Sequence, residues 1–390
     1  MDKPFYPFPG IGSVEALAKA LDVHHDLLLD IAKKVDQSYT SFDIPKKNNS
    51  GYRTVCEPKH ELKRLQKKIN SRILELVKYP SYLQGGIKDK SLSRDYVKNA
   101  AIHVKPTVLI SLDIKNFYPN IHRSHVLNVF KNFLGFHPDV AEVLTCLTTL
   151  NDRVPQGGCC SSYLANLIFF GDEFKLVQKL RKLGWRYSRL LDDISISSTD
   201  DIKDNISPIK EISSLCKRYG LKLNNSKTDV SHRSNGVASL AVTGVWIGHS
   251  EAKLRKDERR YIRQLVYVCE KKYADDPCDS KYHDFWNRVS GKVAKLSRMD
   301  HVEAPILRER LGLILPLVSH HDRGGIVKEV KTICAKPLKT GQRIGFIRRV
   351  NRAYHSLGIL SRTENVLARS LRNELRLRHG NLPTLRQYWD

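Results

Sequence analysis

Residues 189–198 read RLLDDISISS, two leucines running into adjacent aspartates and then isoleucines alternating with serines. The alternation predicts a strand leaving the pair, and the run from Tyr187 to Leu191 predicts a strand entering it. The stretch therefore reads as a β-hairpin with Asp192 and Asp193 at its tip. Two adjoining carboxylates repel, so an apolar hairpin gains nothing from them unless a cation is brought in. An exposed turn also supplies an Asp-Asp pair with no function attached, and the surrounding sequence must decide.

Working outward, TVLISLDIKNFYPNI (107–121) begins as a buried strand whose apolar run breaks at Asp113. VPQGGCCSSYLANLIFF (154–170) is a Pro/Gly loop followed by Leu164, Leu167 and Ile168 at helical spacing. IPKKNNSGYRTVCEP (44–58) places an Asn-Asn-Ser-Gly turn between two short strand-like runs, a hairpin that presents Lys46, Lys47 and Arg53. HELKRLQKKINSRILELV (60–77) is a helix with one apolar stripe, and Ser13 opens another before Val14, Leu17 and Leu21. After the hairpin come a helix (206–219), the turn and strand GLKLNNSKTDV (220–230), and a strand LAVTGVWIG (240–248); helical patterns dominate from 251. If Asp113, Asp192 and Asp193 meet, they supply the hard oxygen ligands that magnesium takes, commonly beside substrate phosphates. A pair of such ions activates an attacking hydroxyl and stabilises a leaving pyrophosphate.

Composition narrows the partner. The 390 residues carry 66 Lys+Arg against 41 Asp+Glu, a formal charge of +25, which calls for a polyanion. The eight cysteines include no Cys-x-x-Cys pair and read as reduced thiols. The start, MDKPFYPFPG, lacks a signal-peptide pattern. The longest apolar stretch, about 311–318, falls far below the roughly 20 residues that span a bilayer. The expectation is a cytoplasmic protein with no membrane partner.

The ordered motifs resemble the palm and fingers of reverse transcriptases, most closely the bacterial retron-type enzymes, over about residues 13–300. SLDIKNFYPNI looks like the family's first catalytic motif, VPQGGCCSSYLAN its Pro-Gln-Gly motif, LLDD its Tyr-x-Asp-Asp hairpin and GLKLNNSKT its glycine-to-lysine motif; NAAIH (99–103) and VTG (242–244) are similar to two retron-type signatures. The resemblance implies an α+β right-hand polymerase: N-terminal helices (1–40), fingers and palm (41–250), a helical thumb (251–310) and a basic helical extension (311–390). It implies Asp113, Asp192 and Asp193 as ligands of two magnesium ions, with manganese as a substitute and the Ile114 carbonyl assisting. Tyr118 would gate the ribose 2′-hydroxyl. Lys46 and Arg53, with Lys47 able to replace Lys46, would grip a deoxynucleoside triphosphate. Gln156 and Gly157 would line the nascent base pair, and Lys227 would protonate pyrophosphate. Asn99 and His103 read as a helix-capping asparagine and a satisfied structural histidine.

The departures are local. Leu190 stands where the family keeps tyrosine and Leu191 where it keeps a small residue; Cys159, Cys160 and Ser162 replace Pro, Thr and Pro. Helical patterns at 259–273 and 285–300 would present Arg259, Arg260 and Lys292 to an RNA–DNA duplex. Residues 331–390 hold 13 Lys+Arg and 3 Asp+Glu, and Arg369, Arg372 and Arg376 flank a Leu367, Leu371, Leu375 stripe suited to both packing and RNA binding. SHHD (319–322) reads as structural. The resemblance implies an RNA-directed DNA polymerase copying a structured noncoding RNA in phage defence. Its rivals are a group II intron-like or other mobile-element enzyme, an RNA-copying RNA polymerase, and a non-catalytic RNA-binding scaffold. Homo-oligomerisation is left open.

Overall fold

The computed structural model describes residues 2–46, 51–200, 202, 204–235, 240–337 and 343–389. The chain divides into two compact units, Met1–Lys253 and Leu254–Asp390.

The first unit is α+β. Helices α1 (Val14–Leu21) and α2 (His25–Lys33) precede a ribbon of β1 (Tyr39–Pro45) and β2 (Tyr52–Pro58), followed by α3 (His60–Arg72). Ser13 caps α1 as its sequence predicts, accepting from the Ala16 N–H. Then come β3 (Leu83–Gln84), α4 (Tyr96–Ala101), β4 (Val108–Asp113), α5 (Phe117–Asn120), α6 (Arg123–Asn128), α7 (Pro138–Thr148), α8 (Ser161–Leu167) and α9 (Glu173–Lys182). The hairpin β5 (Arg186–Leu190) and β6 (Asp193–Ser198), α10 (Ile206–Arg218), β7 (Asp229–His232), β8 (Ala241–Val242) and β9 (Val245–Trp246) complete it.

Five strands form one sheet in the order β3-β5-β6-β4-β7. Only β3–β5 is parallel among its pairings. β4, an interior strand between β6 and β7, is apolar because it is covered on both faces, with Val108, Leu109, Ile110 and Leu112 all buried. The serines of β6 depart from the simple alternation: Ser195 and Ser197 are as buried as Ile194 and Ile196, and a polar layer lies against Ser197 and the neighbouring Ser188.

That layer comes from α4 and from His103 just beyond it. His103 Nδ1 lies 2.8 Å from Ser197 Oγ and Nε2 2.7 Å from Ser188 Oγ, while Ser188 donates to Asn99 Oδ1 at 2.7 Å. Burial without a counter-anion holds His103 down at about 3, so it is neutral. Asn99 is therefore not the expected cap: Asp95 caps α4, and Asn99 is fully buried on the sheet side. Nor is 240–248 one strand. Thr243 (φ 48°) and Gly244 (φ 78°) turn it into the β8–β9 hairpin, and Thr243 Oγ1 donates to the Tyr96 carbonyl of α4 at 3.2 Å. The two retron-type signatures thus meet on α4.

The second unit is helical: α11 (Lys256–Asp275), α12 (Ser280–Ser297), α13 (Glu303–Leu313), α14 (His320–Cys334), α15 (Ile344–Leu360), α16 (Asn365–His379) and α17 (Leu385–Trp389). One core joins α11 to α13 through Ile262, Val266, Val289, Val293 and Leu307. A second joins α14 to α16 through Val330, Ile333, Val350, Leu357, Leu371 and Leu375. Ser319 caps α14, accepting from the Asp322 N–H, which gives SHHD its structural role. Among the described residues no helix is long and apolar enough to cross a membrane.

Candidate active site

Strand register builds the acidic site. β4 and β6 pair antiparallel with Asp113 opposite Asp193, and the Ile114 N–H donates to the Asp192 carbonyl at 2.9 Å. The hairpin tip sits one residue earlier than its sequence predicts. Leu191 and Asp192 form a two-residue turn, while Asp193 opposes Leu190 as the first residue of β6. Leu191 holds φ 61°, a left-handed conformation that costs a leucine roughly 1–2 kcal/mol. The ladder, and not the turn, fixes Asp193.

Asp113 is buried at 7% exposure. Its carboxylate accepts from Asn224 Nδ2 at 3.2 Å and from Lys227 Nζ at 2.8 Å, and its carbonyl accepts from the Asn224 N–H at 2.8 Å. The bond to Asp113 holds Lys227 above the ordinary lysine value. Lost hydration, then the neighbouring Asp113 charge, raises Asp192. Lost hydration, then Asp192 and Asp113, pushes Asp193 up to about 6, with Lys227 acting against the rise. As they stand the carboxylates do not close on one point: among the described residues no three His, Cys, Asp or Glu side chains are arranged to hold a metal ion. Their chemistry nevertheless fits a hard divalent cation, being all-oxygen, anionic and short of positive charge. Three like charges at one sheet end close only around a cation, and Lys227 supplies one partial substitute, to Asp113.

Tyr118, half-buried on α5, has its Oη 3.3 Å from Ser162 Oγ on α8, and burial raises its phenol. Ile114 is buried at 1% exposure. Gln156 and Gly157 meet the ribbon: the Cys56 N–H donates to the Gln156 carbonyl at 2.8 Å, and a Cβ on Gly157 (φ 115°) would stand 2.8 Å from Val55 Cγ1. The glycine is thus required by strand β2 itself. Gln66 and Asn70 of α3 staple the same loop, accepting from the Cys159 N–H at 2.9 Å and donating to its carbonyl at 2.8 Å. Lys46 and Arg53 are exposed on the ribbon; no hydrogen bond or ion pair among the described residues joins them to the carboxylates. Lys47 lies outside the described residues.

In the helical unit, Arg260 is exposed on α11, Lys292 is half-buried on α12, and Arg259 Nη1 turns toward His301 Nε2 at 3.0 Å. Arg369, Arg372 and Arg376 are exposed on α16. Leu371 and Leu375 pack beneath them with α14 and α15, and Leu367 is partly buried against the same core. Sequence reading missed Asn224, three residues before Lys227, and the pair Arg189–Glu173. An arginine within β5, which reads RYSRL, was the available signal for a buried partner.

The reverse transcriptase (RNA-dependent DNA polymerase) family pattern matches residues 44–262. Over 380 residues the chain is 42% identical to the Retron Se72 reverse transcriptase of Salmonella heidelberg (strain 579083-10), covering 96% of this chain and 98% of that protein. It is 31% identical over 366 residues to the Retron Ec48 reverse transcriptase of Escherichia coli, covering 91% and 89%. Among solved structures, telomerase from Candida albicans with the TWJ fragment of telomeric RNA is 13% identical at a TM-score of 0.41, covering 94% of this chain and 73% of that one.

Proposed function

The chain belongs to the retron reverse transcriptases, which are RNA-dependent DNA polymerases, and on that premise we propose that it copies a structured noncoding RNA into DNA through Asp113, Asp192 and Asp193, in the service of antiviral defence. The observation that carries the site is the register of β4 and β6, which sets Asp113 opposite Asp193 with Asp192 beside them. In this reading residues 41–250 are fingers and palm, 251–310 the thumb, 311–390 a basic extension, and 1–40 helices that support the fingers.

The three carboxylates, with the Ile114 carbonyl, would hold two magnesium ions, manganese serving as a substitute. Bound there, such ions lower the barrier for 3′-hydroxyl attack and stabilise the departing pyrophosphate. Lys227, already donating to Asp113, carries a proton that it would give to the pyrophosphate. Lys46 and Arg53 would grip the triphosphate, with Gln156 and Gly157 lining the base pair. Tyr118 would exclude a 2′-hydroxyl, and its contact with Ser162 limits where its ring can stand. Arg260 and Lys292, with Arg259 beside them, would follow the RNA–DNA duplex, and Arg369, Arg372 and Arg376 the template RNA.

The test is incorporation of labelled deoxynucleotides on a primed RNA template with magnesium, by the wild type and by Asp192→Asn and Asp193→Asn. Neutralising either ligand at constant size should abolish synthesis with the fold intact. Magnesium-dependent synthesis retained in both variants would reduce the hairpin to an ordinary turn. Sequencing the nucleic acid that co-purifies with the protein, with and without RNase, tests the template.

A further inference from the structure

Arg189 stands two residues before Leu191 and is completely buried, the largest such side chain among the described residues. Its guanidinium is a fork of N–H donors, and the chain supplies acceptors all round it. Nε and Nη2 grip Glu173 at 2.6 and 2.8 Å; Nη2 also reaches the Asn166 carbonyl at 3.1 Å, and Nη1 the carbonyls of Ala165 at 3.3 Å and Leu191 at 3.2 Å. Glu173 in turn accepts from Tyr187 Oη at 2.8 Å, and the Phe169 ring lies 5.2 Å from the guanidinium carbon.

A buried ion pair is weak evidence for stability, because an apolar pair of similar volume often serves as well. An apolar pair cannot donate to three carbonyls. One of these belongs to Leu191, the residue at φ 61° immediately before Asp192. The next carbonyl, that of Asp192, is taken by the Ile114 N–H at 2.9 Å. Asp192 is therefore gripped on both sides, by Arg189 through the preceding peptide and by β4 through its own. The other two carbonyls lie on α8 at Ala165 and Asn166, and α8 also carries Ser162, the neighbour of Tyr118. One guanidinium connects the acidic turn to the helix behind the proposed sugar gate.

We propose that Arg189 is a positioning residue for polymerisation: by holding the Leu191 carbonyl in its left-handed turn, and the end of α8 against it, the guanidinium aims Asp192 and Asp193 toward Asp113, with Glu173 fixing its fork. This rests on the polymerase reading above. A wild type that incorporates no deoxynucleotide overturns that reading, whereas the positioning role is judged only against an active wild type.

Two variants separate aim from stability. Arg189→Lys keeps the charge and loses the planar fork; the double variant Arg189→Met with Glu173→Leu replaces the ion pair by an apolar one. For each, the melting temperature, kcat and KM for a deoxynucleotide are measured, together with Mn2+ binding by electron paramagnetic resonance, at temperatures well below melting. The expected result is a kcat lowered about 10- to 100-fold in both, the range that misplaced reacting groups produce. KM should move less than about threefold and Mn2+ binding should weaken, because the carboxylates are misaimed. The double variant should regain the melting temperature that Arg189→Lys loses, yet not its kcat. The role is overturned if the apolar double variant, or a folded Arg189→Lys, retains wild-type kcat and Mn2+ affinity. If Arg189→Lys does not fold, the double variant alone decides by the same measurements.

Discussion

Asp193→Asn should make the metal-free protein more stable while abolishing its synthesis. Asp193 in the folded chain is raised from 3.8 to about 6, by lost hydration first and by Asp192 and Asp113 next. At about 1.36 kcal/mol per tenfold change in proton affinity that amounts to about 3 kcal/mol against folding at neutral pH. The carboxylate keeps an exposed side, and solvent screening cuts such a value to about 1 kcal/mol. For a unit of this size that corresponds to about 2–4 °C in melting temperature. Because the folded value lies above the unfolded one, ionisation opposes folding. The penalty is complete above about pH 6 and gone below about 3.8, so the advantage of Asp193→Asn should be largest at pH 7 to 8 and shrink as pH falls toward 4. The assay is thermal unfolding in a chelator across that range, then with magnesium, which should stabilise the wild type more than the variant. An Asp193→Asn that melts at or below the wild type in chelator at pH 7.5, or a difference that grows on acidification, refutes the view that the three carboxylates strain one another.

The other predictions concern the surroundings of that cluster. Tyr118→Ala should raise ribonucleotide use relative to deoxynucleotide use on one RNA template, and an unchanged ratio assigns Tyr118 to packing against Ser162. Lys227→Ala should lower kcat by about 100-fold or more, the usual contribution of a positioned general acid, and should lower the melting temperature of the metal-free protein as well, because Asp113 loses the cation that faces it at 2.8 Å; wild-type kcat excludes the role. Replacing Arg369, Arg372 and Arg376 by Gln should weaken binding of the co-purified RNA and flatten log affinity against log salt by about 2, near 0.7 for each single-strand phosphate no longer neutralised. An unchanged affinity and slope would leave α16 as a packing helix.

What sequence alone disclosed depended on how local the cause was. Asp113 and the Asp192–Asp193 pair were legible because each interrupts a strand-like run, and the cap at Ser13 because capping acts over three residues. The ribbon was legible over 44–58 from two short strand-like runs around a polar turn, whereas the start of β1 at Tyr39 was not. The exact tip was not, since pairing of Leu190 with Asp193 depends on β4 lying alongside. Asn99 resembles a cap until its partner is known: Ser188 lies 89 residues away, and no local pattern announces it. A similar separation, 94 residues to His103, hid the burial of Ser197. Thr243-Gly244 was misread because a β-branched residue at positive φ contradicts its usual preference, and only the bond to Tyr96 on α4 makes the turn sensible. The leucine stripe of α16 was correctly seen as a packing face, but its partners, α14 and α15, are set by the tertiary fold.

The leucines before the aspartates show why a departure at the hairpin need not disturb the carboxylates. β3 runs parallel to β5 with Gln84 opposite Leu190, which carries Gly85 and Gly86 past the acidic turn. A Cβ on Gly85 would stand 3.0 Å from Leu190 Cγ; one on Gly86 would stand 2.6 Å from Ser162 Cβ and 3.2 Å from Leu191 Cδ2. Both glycines also hold positive φ, 72° and 67°, so a side chain would be opposed by backbone strain as well as by steric overlap. The bulk of the Leu-Leu pair is thus accommodated by two missing side chains on the neighbouring segment, and the Asn166 amide fixes that segment by donating to the Gly85 carbonyl at 3.1 Å. Asp192 and Asp193 are meanwhile placed by main-chain bonds to Ile114 and by the register with Asp113, neither of which involves the leucine side chains. Side-chain identity at 190 and 191 can therefore change what touches a primer end without moving the residues that hold the charge.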